Sequence, residues 1–253
     1  MDERALYDLL IPAMYVAAGV VFAALLWVAA PYDRHGSRGW GATISSRWGW
    51  RFMEAPAALV ILICALFAEP CLGAIPWVLL GLWEVHYFYR AFIYPSRRRD
   101  GDRCMPWMIV AMGMLFNGVN GYLNGRWLFA FAPGYGAGWW TWPGTWLGLA
   151  LYGGGMWINR QADAQLRALR KEREAGYGLP QRGMFRWIDC PNYFGELIQW
   201  VGWGFLCRSA AAWAFAVWTA ANLVPRARSH HRWYRERFPD YPRDRKALLP
   251  YVW

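Results

Sequence analysis

Residues 9–30 read LLIPAMYVAAGVVFAALLWVAA, 22 positions without one charged side chain. At about 1.5 Å per helical residue, the run reaches across a hydrocarbon core of about 30 Å. It predicts a transmembrane helix. A secretory signal is the wrong reading, because the leader Met1 to Asp8 sets one Arg against three acids and no small-residue cleavage site follows. The whole chain has a matching composition: of 253 residues, 57% are hydrophobic, 19% aromatic and 17% charged, where an average soluble domain carries roughly 25% charged residues. Disorder and collagen-like repeats are excluded by the same numbers. The 20 Trp and 14 Tyr suit the two headgroup layers of a bilayer.

Working outward from that run, further apolar stretches occur at Arg51 to Phe67, Leu72 to Tyr94, Met105 to Gly125, Trp139 to about Asp163, Asn192 to Cys207 and Ser209 to Val224. The last two are short, about 16 residues each, so their ends near Arg208 are expected to sit shallow in the bilayer. The fold class is therefore an all-α polytopic membrane protein, one seven-helix domain over residues 1–253. Basic residues test the count, since they should collect in every second connection. Arg34, Arg38, Arg47 and Arg51 fall in the first, and Arg97, Arg98, Arg99 and Arg103 in the third. Seven Lys and Arg lie between Arg160 and Arg186, and eight from Arg226 onward. The other connections and the N-terminus hold only Arg4, Arg126 and Arg208. This pattern puts the N-terminus outside and the C-terminus in the cytoplasm, and it accounts for the net charge of +10. Nucleic acid is not an expected partner, because no soluble module presents one basic face. Cys64, Cys71, Cys104, Cys190 and Cys207 include no C-x-x-C pair and read as packing residues, with no metal site.

Ionisable and amide side chains inside spans are costly and usually face a cavity or each other. Here Glu54 lies in the second span, and Glu84, His86, Tyr87, Arg90 and Tyr94 lie in the third. Asn159 and Asp163 lie in the fifth, and Asn192, Glu196 and Gln199 in the sixth. Asn159 and Asp163 are four apart and share a helix face, as do Asn192 and Glu196. One such pair would be helix-to-helix glue. Polar stripes on four helices, near cytoplasmic ends beside Arg-rich connections, point instead to a cavity for a charged ligand. Gly121 with Gly125, and the triplet Gly153-Gly154-Gly155, read as sites of close helix packing. No G-x-G-x-x-G after a strand, P-loop, EF-hand or H-E-x-x-H motif is present.

Several ordered pieces complete the reading: Gly155-Met156-Trp157-Ile158-Asn159 with Asp163, Leu166 to Lys171, Gly176-Tyr177 with Pro180 and Gly183, and Pro191-Asn192-Tyr193-Phe194-Gly195-Glu196. The tail adds His230-His231-Arg232-Trp233-Tyr234, Phe238, Tyr241-Pro242 and Arg245 to Pro250. With His86 to Arg90, they resemble the steroid 5α-reductase (3-oxo-5-alpha-steroid 4-dehydrogenase) family over most of residues 54–253, the reductase motifs lying in about 105–253. The resemblance implies NADPH-dependent reduction of the Δ4 double bond of a 3-oxo-steroid or a similar lipid enone. Carried over by motif, Asn159, Asp163, Arg170, Tyr177, Asn192, Glu196, Arg226, His230 and Tyr234 would line the NADPH site. Arg90, Tyr94 and Arg103 would help hold its phosphates, and Glu54 and Tyr87 would polarise the substrate carbonyl. Animal members have Gln where this chain has Met53. The resemblance further implies a lipid-soluble substrate reached from membrane lipid, and a monomer is expected; richness in Ala, Arg and Trp points to a bacterial inner membrane, with the endoplasmic reticulum expected in a eukaryote. Two related activities stay open, an S-adenosylmethionine-dependent isoprenylcysteine-type carboxyl methyltransferase and a polyprenol or enoyl-thioester reductase.

Overall fold

The computed structural model describes residues 2–27, 41–68, 73–97, 104–172 and 178–253. Arg34, Arg38, Cys71, Arg98, Arg99, Arg103 and Tyr177, all singled out above, lie outside the described residues. The chain forms two compact units, the first from Met1–Pro12, Ala30–Thr145 and Cys207–Ala212, the second from Ala13–Ala29, Trp146–Leu206 and Trp213–Trp253. Helix α1, Glu3–Trp27, begins in the first and continues in the second.

In the first unit, strand β1 (Thr43–Ser45) runs into helix α2 (Ser46–Leu66). Helix α3 (Ala74–Phe88) widens into a π turn at Tyr89–Ile93 before the short α4 (Tyr94–Arg97). Strand β2 (Cys104–Pro106) leads into α5 (Trp107–Arg126), which ends in a second π turn, Trp127–Phe131, ahead of α6 (Gly138–Thr141). β1 and β2 pair antiparallel with Thr43 opposite Pro106, a small departure from an all-helical chain. Its cause is local: Pro106 takes an extended conformation ahead of the helix, and buried Met105 packs with Trp50 and Val110. The fourth apolar run thus becomes helical at Trp107 rather than Met105. α2 lies along α5 where glycine lets backbones approach. A Cβ on Gly125 would come 2.8 Å from Cys64 Cβ, and one on Gly121 would come 3.2 Å from the Ala57 carbonyl.

Polar contacts inside this unit show which connections share an end. The β1–β2 ribbon and an Arg51 to Ser96 hydrogen bond of 2.9 Å join the first connection to the third. Glu3, at the head of α1, pairs with Arg126 at the end of α5 at 2.7 Å and accepts from Tyr122. Arg208 donates to the Trp139 carbonyl and Thr145, with its guanidinium 4.2 Å from the Trp142 ring centroid. Arg4 pairs with Asp8 at 3.0 Å. The three arginines outside the basic connections are therefore each engaged by local partners.

In the second unit, α7 (Pro143–Glu172) and α8 (Pro191–Cys207) meet through glycines seven residues apart on each helix. A Cβ on Gly155 would come 2.4 Å from the Gly195 carbonyl, and one on Gly202 would come 2.7 Å from the Gly148 carbonyl. Gly153 and Gly154 meet nothing within 4 Å, so only the last glycine of the expected packing triplet serves that contact. The fifth apolar run is divided at Trp142, between α6 and α7. The seventh is longer than expected: α9 runs Ala210–Arg237, 28 residues, straight into the basic tail. Beyond it, Lys246 donates to the Trp187 carbonyl and Asp189 donates back to Lys246, each at 2.9 Å. Ala247 and Leu248 are buried with Cys190 and Ala227, so the tail is docked on the segment that feeds α8.

Large apolar side chains cover the outside as well as the core. Val16, Leu66 and Leu115 are 68%, 82% and 71% exposed, while Asn117, Asn120, Asn124, Asn159, Asp163 and Gln199 are buried. Lipid is the solvent that such a surface suits. α1 and α2, with 25 and 21 residues, are long and apolar enough to cross a membrane.

Candidate functional site

Two groups of buried polar side chains stand out, one in each unit. In the first unit, Glu54 lies in the third turn of α2 and is buried. Arg90, within the π turn after α3, reaches it at 3.5 Å. The Arg90 guanidinium also lies 5.2 Å from the Trp50 ring centroid and 5.1 Å from that of Tyr94, distances at which an aromatic face attracts a cation. Single π turns inside helices often mark functional positions, because they re-aim the side chains around them. Here the turn holds Arg90 itself.

Tyr87 is buried on the last turn of α3, its ring 4.7 Å from that of Trp83 and 5.1 Å from that of His86. Trp83 donates its indole N–H to the Ala57 carbonyl at 3.0 Å. That bond ties the helix carrying Tyr87 to the helix carrying Glu54. α5 supplies three asparagines at spacings of three and seven. Asn117 donates to the Met53 carbonyl at 2.7 Å, beside Glu54. Asn120 donates to the Tyr87 hydroxyl at 3.4 Å, and Asn124 donates to Asn120 Oδ1 at 2.9 Å. None of the three is among the residues expected from the sequence, although their spacing puts them on one face of an apolar helix.

In the second unit the pairs predicted on α7 and α8 meet each other. Asn159 donates to the Asn192 carbonyl at 2.9 Å and lies 3.4 Å from Glu196 Oε2. Asn192 donates to Asp163 Oδ1 at 3.4 Å. The Gly155–Gly195 contact lets these short side chains span the two helices. Arg170 follows half-buried on the same face of α7. Arg226, His230 and Tyr234 recur every four residues on α9. Tyr193 of α8 joins the first two of them, its hydroxyl 3.1 Å from His230 Nε2 and its ring centroid 5.5 Å from the Arg226 guanidinium. Tyr234 is buried against Trp233 and Phe238.

A further cluster, unmarked by any sequence period, holds the tail in place. Asp189 is buried and accepts from Tyr241 at 2.7 Å, with His231 Nδ1 at 2.6 Å and Arg245 at 3.5 Å. Burial pushes the Asp189 carboxyl up from its ordinary value, against the opposing pull of Tyr241, His231 and Arg245. Burial, and then Asp189 itself, raise the Tyr241 phenol. Among the described residues, no group of three or more His, Cys, Asp and Glu is placed to hold a metal ion.

Comparison with known proteins assigns the chain to a family. The family described as 3-oxo-5-alpha-steroid 4-dehydrogenase matches residues 103–253. The Arabidopsis thaliana protein named steroid 5-alpha-reductase DET2 is 38% identical over 245 residues, 94% of each chain. The Bos taurus 3-oxo-5-alpha-steroid 4-dehydrogenase 1 is 38% identical over 257 residues, covering 100% of this chain and 99% of its own. The Homo sapiens 3-oxo-5-alpha-steroid 4-dehydrogenase 1 is 36% identical over 223 residues, 87% of this chain and 85% of its own. With matches of this length and identity, the chain belongs to the 3-oxo-5-alpha-steroid 4-dehydrogenase family of oxidoreductases.

Proposed function

We propose that this protein reduces the Δ4 double bond of a 3-oxo-steroid, using NADPH, and releases the 5α-dihydro ketone. The observation that carries the reading is a buried phenol, Tyr87, backed by the Asn120 amide and packed against Trp83. Adding hydride to the β-carbon of an enone places negative charge on the carbonyl oxygen, and uptake of a solvent-derived proton at the α-carbon then completes the saturated ketone. A donor already held in a water-poor site stabilises that charge without reorganisation. Tyr87 supplies the donor, and Glu54, which Arg90 reaches at 3.5 Å, supplies a second one when its carboxyl is protonated. Trp83 and the buried apolar side chains around it exclude water.

The residues of the second unit fit a nicotinamide dinucleotide. The amides of Asn159 and Asn192 offer donors and acceptors of the kind a carboxamide needs, and Arg170 and Arg226 are half-buried cations suited to phosphate. NADPH, when bound, supplies the hydride. Asp163 and Glu196 orient the two asparagine amides, and His230 with Tyr193 holds a polar edge beside Arg226.

Seven spans with the N-terminus outside and the C-terminus cytoplasmic agree with the contacts within each unit. The first connection joins the third, and the segment before α8, in the fifth, joins the C-terminal tail. Those are the strongly basic connections. The N-terminus joins the end of α5, four spans on, and Arg208 joins Trp139. A bacterial inner membrane or endoplasmic reticulum, a monomer, and substrate entry from lipid complete the reading. The test is turnover of a 3-oxo-Δ4-steroid with NADPH by detergent-solubilised protein, and by Tyr87→Phe. Loss of the phenolic donor should lower kcat by roughly 100-fold. Near-normal turnover by folded Tyr87→Phe refutes the mechanism.

A further inference from the structure

We infer that Asn120 is a positioning residue that sets which way the Tyr87 hydroxyl points, and that Asn124 in turn sets Asn120. The inference rests on the reading above, in which Tyr87 donates to the substrate ketone. An asparagine amide has one accepting and one donating end. Asn124 Nδ2 lies 2.9 Å from Asn120 Oδ1 and 3.0 Å from the Asn120 backbone carbonyl. Because an amide nitrogen accepts nothing, the accepting end of Asn120 is committed to Asn124. Its donating end therefore faces Tyr87, where Nδ2 and the phenol oxygen are 3.4 Å apart.

The polarity of this chain has a chemical consequence. A phenol oxygen that accepts from Asn120 has its own proton directed away from α5. That proton can then be given to a ketone oxygen. As the phenol gives hydrogen-bond density to the developing oxyanion, its oxygen gains negative charge, and an amide N–H pointed at that oxygen stabilises it. The 3.4 Å separation is long for a hydrogen bond, as apo contacts of catalytic groups often are before the reacting state tightens them. Asn120 is wholly buried, so neither it nor its partner exchanges this bond for water. The competing explanation is that the asparagines only fasten α5 to its neighbours, as polar side chains do between membrane helices. Asn117, which bonds a backbone carbonyl, has that simpler role. Asn120 differs because its target is a side-chain hydroxyl of the proposed reaction.

A double-mutant cycle separates the two. Asn120→Leu, Tyr87→Phe and the double variant are measured for kcat and KM, each checked for folding by thermal unfolding in detergent. If Asn120 acts through the phenol, Asn120→Leu lowers kcat by about five- to tenfold when Tyr87 is present, with KM for steroid changed less. Added to Tyr87→Phe, the same change then costs nothing further. If Asn120→Leu does not fold, Asn120→Thr is read in the same cycle, since its hydroxyl can bond back to its own helix. A second readout needs no turnover: the carbonyl stretch of bound, isotope-labelled 5α-dihydro-3-ketone. Wild type should shift it to lower frequency, the Asn120 variant less, and Tyr87→Phe least. An equal kcat loss from the Asn120 change with and without the phenol, or an unchanged carbonyl stretch in the Asn120 variant, overturns the inference and leaves the function intact. Full activity in Tyr87→Phe overturns the reading beneath it instead.

Discussion

Replacing Gly195 by alanine tests the link between helix packing and the cofactor residues. The added Cβ would lie 2.6 Å from the Asn159 amide nitrogen and 2.6 Å from the Gly155 carbonyl, whereas ordinary contact begins near 3.4 Å. The shortfall is about 0.8 Å, and the obstructing atoms are backbone, so α7 and α8 must separate by roughly that distance. The Asn159 to Asn192 bond, 2.9 Å in the native protein, would then stretch to about 3.7 Å and cease to be one. The 3.4 Å approaches of Asn159 to Glu196 and of Asn192 to Asp163 would open further. Overpacking of this kind costs about 1–3 kcal/mol. Misplaced donors should weaken NADPH by about tenfold, since each lost hydrogen bond contributes on the order of 1 kcal/mol. Melting followed by intrinsic fluorescence, together with NADPH titration in the same detergent, measures both effects. Gly153→Ala is the control, because its Cβ meets nothing within 4 Å and alanine favours a helix by up to about 1 kcal/mol over glycine. If Gly195→Ala matches Gly153→Ala in melting and in NADPH affinity, the two-helix clamp is wrong.

Cysteine labelling at Ala42 and Ala137, both exposed, should report opposite membrane faces; reaction of both from one side contradicts the seven-span topology. Arg170→Ala should weaken NADPH by about ten- to a hundredfold while leaving NADH little changed, and equal losses would assign Arg170 to the pyrophosphate that both nucleotides share. The raised Asp189 carboxyl gives a signed pH dependence: the protonated form is favoured in the native state, so its stability contribution is complete below the ordinary value of 3.8 and is lost as pH rises through the higher folded value. Wild type should therefore lose melting temperature relative to Asp189→Asn as pH is raised above that ordinary value, and parallel curves would remove Asp189 as the cause.

How much of this was legible in the sequence depends on how far apart the partners lie in the chain. Asn159 with Asp163, and Asn192 with Glu196, are four apart on one helix, and that spacing alone puts each pair on one face. The structure adds that the two faces meet. Asp189 offered no such signal. Its partners His231, Tyr241 and Arg245 are 42, 52 and 56 residues away, and no local period connects a loop to a tail. The β1–β2 ribbon was hidden for the same reason. The α5 asparagines are an intermediate case, visible as a stripe but indistinguishable by spacing from helix glue. What gives Asn120 a different meaning from Asn117 is the group across from it, a phenol rather than a backbone carbonyl. Glycine shows the same limit. Gly153, Gly154 and Gly155 are equivalent as letters, yet only Gly155 faces a backbone, because the register of α8 against α7 selects one position per two turns. Composition and periodicity thus determine which faces are buried. Which atom each buried group meets is set by the neighbouring helix, and the proposed chemistry depends on those pairings.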